Sequence, residues 1–179
     1  MGSAELRHLT LEQRIDPLLG DADAVHRLTA DEVAELRRLA PELKEACRRL
    51  AACGVPYALV HGDLHPGNVA RLKGELAYFD WTDACIAHPF FDLQSLQWQR
   101  DEATRAALLA AYLGAWEGVE SLERLREAAD LAAIVTPLHH AVSYQQILAN
   151  LEPAARPELD ATHQFLREVL ARARHWSNG

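Results

Sequence analysis

Residues 61–80 read HGDLHPGNVARLKGELAYFD, and this stretch decides the fold. A carboxylate, Asp63, stands in a loop rich in Gly and Pro; a carboxamide, Asn68, follows it, and a second carboxylate, Asp80, closes the run. Tyr57 to Val60 and Leu76 to Phe79 are short apolar runs with β-branched or aromatic members, and Val69 to Leu72 lies between them, so three brief strands are expected. Lys73, Gly74 and Glu75 read as a three-residue hairpin turn. In that register Leu72 faces Leu76, Ala70 faces Tyr78, and Asn68 faces Asp80 on one side of the ribbon, about 5 Å apart. Gly62, Pro66 and Gly67 bend the preceding loop and can bring Asp63 to the same mouth.

Two carboxylates and a carboxamide offer hard oxygen donors with little sulfur or imidazole. Such a set suits Mg²⁺, which takes a few protein oxygens and leaves its other positions to water and phosphate. Asn68 and Asp80 fit that role. Phosphoryl transfer needs little covalent help from its protein, mainly positioning and charge neutralisation, together with a carboxylate that accepts the proton of the attacking hydroxyl. Asp63 fits this second role.

HGDLHPGN, followed twelve residues after its Asn by the Asp of YFDW, resembles the catalytic and metal-binding segments of the aminoglycoside phosphotransferase and choline kinase family, relatives of the protein kinases. DWTDACIAHPFFDL, from Asp80 to Leu93, is similar to the same family's continuation, in which a second Asp follows a small-residue and Pro turn and opens a helix. The resemblance implies the C-terminal lobe of a protein-kinase-like phosphotransferase, mainly α with a small β-hairpin or sheet. It implies transfer of the ATP γ-phosphate to a hydroxyl of a small molecule, with Asp63 as base, Asn68 and Asp80 holding Mg²⁺, and Asp92 bracing the catalytic loop. One residue departs from the pattern: Ala87 stands where the family usually has Gly, which puts the local turn geometry in question. Asp83 faces substrate or stabilises the turn.

Two other classes of function compete with this one. His61, Asp63 and His65 place imidazole and carboxylate at alternate positions, a pattern that could hold a transition metal in a hydrolase, although it leaves Asn68 and Asp80 without a task. A non-catalytic small-molecule-binding module derived from the same lobe is the third possibility. Only 60 residues precede His61, and they contain no Gly-rich loop, no strand-borne Lys and no run of strands. The expectation is therefore a lobe that carries catalytic and substrate-binding parts without the nucleotide-binding N-lobe, with weak self-association through the face that lobe would cover.

The 179 residues suffice for a single domain spanning 1–179 with one buried core and are too few for two ordinary ones. Hydrophobic residues make up 49% and charged residues 25%, values of a soluble globular chain, and the net charge of -8 argues against a basic nucleic-acid surface. Cys47, Cys53 and Cys85 are odd in number and lack C-x-x-C spacing, so they form neither a disulfide framework nor a zinc site, which suits a reducing cytoplasm. MGSAELRHLT has no apolar core of the signal-peptide kind, and no stretch is long and apolar enough to span a bilayer.

Helices are expected on both sides of the hairpin. Thr10 to Gln13 and Thr29 to Glu32 have capping-box spacing, and after the second box Val33, Leu36, Leu39, Ala40, Leu43, Ala46, Cys47 and Leu50 recur at three- and four-residue steps. Pro41 should kink or restart that helix, while Arg37, Arg38, Arg48 and Arg49 read as its solvated face. Further helices are expected over 90–98, 101–116, 121–135, 138–151 and 158–176, with Pro137 as an interruption. His139 and His140, near Tyr144 and Gln145, are candidates for a ligand role or for ordinary packing.

Overall fold

A computed structural model describes residues 10–152, 154, 156 and 160–176. The chain divides into two compact units, one made of Met1–Arg49 and Ile134–Gly179, the other of Leu50–Ala133. Strands occur in the second alone among the described residues, and the whole is α+β with helices in the majority, as the sequence suggests.

The first unit is built from capped helices. Gln13 accepts from the Thr10 N–H at 2.9 Å as α1 (Leu11–Gly20) begins. Asp21 then accepts from Asp23 N–H at 2.9 Å and starts a short α2 (Ala22–Val25) that the sequence reading did not separate. At α3 (Ala30–Ala51) the Thr29 hydroxyl accepts from Glu32 N–H at 3.2 Å while the Glu32 carboxylate accepts from Thr29 N–H at 2.8 Å, a complete capping box. The helix does not restart at Pro41: one backbone bond is lost there, but Leu39, Ala40 and Leu43 around it are buried, and their packing offsets the loss. Arg37 donates to the Leu19 carbonyl, Arg38 to Glu35, and Arg48 to Glu45, so these arginines are held locally.

The same correction applies to α5 (Leu122–Asn150), which runs unbroken through Pro137. Ile134, Val135, Thr136 and Leu138 are all at most 3% exposed, so the proline sits where burial is greatest on every side of the helix. The expected start of the last helix at residue 158 lies outside the described residues, as does the N-terminal MGSAELRHL. Its described part, α6 (Thr162–Trp176), buries Leu166, Val169, Leu170 and Ala173 at helical spacing and packs against α2.

In the second unit β1 (Ala58–Val60) pairs with β4 (Cys85–Ala87), and β2 (Val69–Leu72) pairs with β3 (Glu75–Tyr78), both antiparallel. β4 was not anticipated. It accommodates Ala87 opposite Ala58, and since Ala87 has no positive φ, the departure from the family's Gly costs no backbone strain. A 3₁₀ helix over Pro89–Trp98 follows, where an ordinary helix was expected over 90–98, and then α4 (Glu102–Gly114), capped by Asp101 at the Thr104 N–H, 2.8 Å. Phe90, fully buried, meets Tyr112 and Trp116 edge-on at 5.6 and 6.3 Å, and the Tyr112 hydroxyl donates to the Pro89 carbonyl at 3.0 Å. These contacts fix the start of the 3₁₀ helix, whose first turn carries Asp92.

The hairpin register differs from the expected one by a residue. Leu72 pairs with Glu75, Arg71 with Leu76 and Val69 with Tyr78. The loop is two residues long, Lys73 and Gly74, with φ of 51° and 92°. Positive φ at both central positions is the type I′ turn, whose twist matches that of the flanking strands, and Lys73 adopts it despite its side chain. Asn68 consequently lies across from Phe79, whose N–H donates to the Asn68 carbonyl at 3.1 Å, and Asp80 falls one position beyond the ladder.

Candidate active site

The loop from His61 to Asn68 is held by its backbone. Both oxygens of Asp92 are used: Oδ2 accepts from the His61 N–H at 2.8 Å and Oδ1 from the Gly62 N–H at 3.0 Å. Gln94 Nε2 donates to the Gly62 carbonyl at 3.0 Å. A carboxylate with two backbone donors in a part-buried setting is a strong clamp, because each bond carries charge on one side. Asp92 is thus the loop's brace, and Gln94 is a second one that no sequence pattern announced.

Gly62 has φ of 82°, and its missing side chain makes room for a neighbour: a Cβ there would lie 2.3 Å from the Asp83 carbonyl oxygen. The backbone of residue 83 therefore rests on the loop immediately before Asp63. Partial burial, reinforced by the nearby carboxylates of Asp63 and Asp80, pushes the Asp83 carboxyl up from its usual value, while His61 opposes the shift. Three carboxylates accordingly share one region, and Asp83 is the member whose place the sequence left open.

His61 is buried, with Nε2 3.0 Å from the Phe79 carbonyl and its ring 4.7 Å from that of Trp81. The carbonyl can only accept, so Nε2 is the donor of this bond. This bond reaches the residue just before Asp80, whose own φ of 62° is left-handed. Asp80 Oδ1 accepts from the Thr82 hydroxyl at 2.7 Å, a local bond of the kind that lets Asp tolerate such a conformation.

Asn68 ends a single 3₁₀ turn, Pro66–Asn68, and is 7% exposed. Its Nδ2 donates to the Asp63 carbonyl at 3.0 Å and approaches Asp63 Oδ2 at 3.4 Å. The Asp63 carboxylate itself is about half exposed, with the His65 Nε2 3.6 Å from Oδ2. The structure thus joins Asp63 to Asn68 directly and places Asp83 within electrostatic reach of both Asp63 and Asp80. Asn68 does not face Asp80 across the ladder as expected.

The set His61, Asp63 and His65 is not assembled as a metal site: His61 Nε2 is engaged by a backbone carbonyl, and among the described residues no three His, Cys, Asp or Glu side chains converge on a metal position. His139 and His140 lie in the other unit. Their rings are 5.8 Å apart, His140 meets Phe165 edge-on at 5.0 Å, and burial, helped by His140 and Arg14, pushes His139 down to about 4. Both rings are thus engaged in packing contacts. No helix among the described residues is long and apolar enough to cross a membrane.

No curated protein and no solved structure matches the sequence. The sequence model of the phosphotransferase enzyme family, by contrast, matches residues 3–129, a span that takes in the whole loop, the hairpin and the Asp92 brace. A match over well more than half of the 179 residues settles the ancestry: the chain belongs to the phosphotransferase enzyme family.

Proposed function

We propose that this chain's site transfers the γ-phosphate of ATP to a hydroxyl of a small molecule, with Asp63 accepting the hydroxyl proton. The observation that carries the reading is the Asp63–Asn68 pair: a half-exposed carboxylate on a backbone-clamped loop, tied to a buried carboxamide. A base held this way keeps its carboxylate accessible to a substrate while the loop spends little freedom in reaching a reactive geometry.

Asn68 and Asp80 fit Mg²⁺ by donor chemistry. Asn68 directs its amide nitrogen to Asp63, which leaves its carboxamide oxygen as a donor, and Asp80 gives one oxygen to Thr82 and keeps the other. Both remaining donors are hard oxygens of the type Mg²⁺ prefers. When bound, the ion would neutralise charge on the donor phosphates. Asp63 takes the proton, Asn68 orients Asp63, and Asp92 with Gln94 keeps the loop from relaxing.

A small-molecule-binding module without catalysis is the second reading; residues 11–51 form helices, so this stretch has no strand-borne phosphate grip of its own. Calorimetric titration of MgATP into the 179-residue chain, paired with phosphate release across amino-alcohol and aminoglycoside acceptors, separates the two. Acceptor-dependent turnover that disappears in Asp63→Asn supports the transferase. Acceptor binding with no turnover when MgATP is bound supports the module.

A further inference from the structure

His65 is the loop residue for which the reaction has so far supplied no task. Its surroundings are specific. The Gly67 N–H donates to His65 Nδ1 at 3.0 Å, so Nδ1 is an acceptor and the ring proton of the neutral imidazole resides on Nε2. That nitrogen lies 3.6 Å from Asp63 Oδ2. Gly67 permits the arrangement by lacking a side chain: a Cβ there would come within 2.6 Å of the ring's Cε1 and 2.8 Å of Nδ1. The Trp98 ring stands 6.2 Å away, centroid to centroid.

Two N–H groups therefore approach the same oxygen of Asp63, Asn68 Nδ2 at 3.4 Å and His65 Nε2 at 3.6 Å. The first is a long hydrogen bond and the second lies just beyond hydrogen-bond distance; catalytic contacts are often long in the unliganded site and tighten when substrate closes it. Among the described residues Oδ1 of Asp63 has no such donor.

We propose that His65 is a positioning residue that, together with Asn68, anchors Asp63 Oδ2 and so assigns proton acceptance to Oδ1. The inference rests on Asp63 being the base. In the transfer step the substrate oxygen forms its bond to the γ-phosphorus, the bond from that phosphorus to the bridging oxygen of the diphosphate leaving group breaks, and the hydroxyl proton moves to Asp63 Oδ1. His65 keeps its own proton throughout. Its contribution is to stop the carboxylate from rotating, so that the lone pair offered to the hydroxyl is the same in every turnover.

Nitrogen-15 NMR of the full chain tests the arrangement without needing turnover. Expected are a single Nε2–H tautomer for His65, a scalar coupling across the hydrogen bond from the Gly67 N–H to Nδ1, and a shift of the Nε2 resonance in Asp63→Ala. Gly67→Ala should abolish the coupling. A ring protonated on Nδ1, a ring averaging between tautomers, or an Nε2 resonance indifferent to Asp63→Ala would overturn the proposal. Where MgATP and an amino-alcohol acceptor give Asp63-dependent turnover, His65→Ala should lower kcat on the order of 10- to 100-fold with KM for MgATP unchanged, and His65→Gln should recover part of it. Turnover that needs Asp63 but ignores His65→Ala removes the role of His65 alone. Turnover that ignores Asp63→Asn removes the transferase reading and leaves the NMR result to judge the ring.

Discussion

The two units hold their shapes by different means. Among the described residues, the large apolar side chains that remain exposed are Tyr57, Leu59, Leu72, Leu76, Tyr78, Phe79, Trp81, Ile86, Trp98, Leu108 and Val119 in the second unit and Ile147 in the first. The first unit is a helical core with capped helix starts, and ion pairs such as Lys44–Asp16 and Arg167–Glu32 lie at its surface. In the second, the strands bury little, and the loop from His61 to Asn68 takes its form from polar groups: Asp92 on two amides, Gln94 on a carbonyl, His61 on the Phe79 carbonyl just past β3. Where hydrophobic packing is thin, each hydrogen bond decides more of the geometry. A polar substitution should therefore matter in the loop and be tolerated on the helices.

The largest expected effect is on the chemistry. On the proposed function, Asp63→Asn should lower phosphoryl transfer by roughly 10²–10⁴-fold while circular dichroism and melting stay as in the parent, since removing the proposed proton acceptor costs the transition state and not the fold. Near-normal turnover in the purified variant would remove Asp63 from that role.

Next comes the brace. Asp92→Ala strands two part-buried N–H groups and should cost about 2–4 kcal/mol, read by urea unfolding, with hydrogen exchange rising at His61 and Gly62. A core truncation in the helical unit, Leu43→Ala, should cost a similar 2–5 kcal/mol yet leave exchange in the loop unchanged. If Asp92→Ala proved as mild as a surface change, the contrast between the units would collapse.

Acid should act on both units by the same sign. Burial pushes His88 and His139 down to about 4 from an ordinary 6.5. The unfolded chain then binds protons at a higher pH than the folded one, so stability is full above about 6.5 and is lost as pH falls toward 4. His88 Nδ1 already accepts from the Phe90 N–H at 3.2 Å, so protonation there also breaks a cap. Urea midpoints measured from pH 7 to pH 4 should fall, and His88→Asn should flatten part of the decline; a midpoint independent of pH would contradict both shifts.

The smallest effect belongs to the ion pairs of the helical unit. Lys44→Met removes the 2.6 Å contact with Asp16 and should change stability by less than about 1 kcal/mol, because exposed pairs gain little over hydration. A loss as large as that of Asp92→Ala would show that the helical unit, too, depends on polar bonds.

The legible parts of the sequence were those governed by local rules. Capping boxes at Thr10 and Thr29 and the apolar stripe of α3 follow from residues within one or two turns of each other, and the motif residues Asp63, Asn68 and Asp80 stood out as chemistry. What was illegible depended on distant partners or on a close balance. Pro41 and Pro137 look like stops until the burial around them is known. The hairpin register turned on whether Lys73 would accept a positive φ, a preference too slight to read from its identity, and that one residue moved Asp80 out of the position facing Asn68. β4 has no periodic signature in three residues. The anchoring of His65 depends on what Gly67 lacks.

The glycines predict an uneven tolerance to mutation. In a saturation library position 62 should be as intolerant as position 63, since any side chain must displace the backbone of residue 83 at 2.3 Å in addition to adopting φ of 82°. Position 67 should admit alanine at some cost, because what it strikes is the movable ring of His65. At position 74 only the φ of 92° resists substitution, so Asn and Asp should survive selection, while 20 and 114, open and unconstrained, should vary freely. A loop without a side chain at its tightest point is thus the least evolvable part of the molecule.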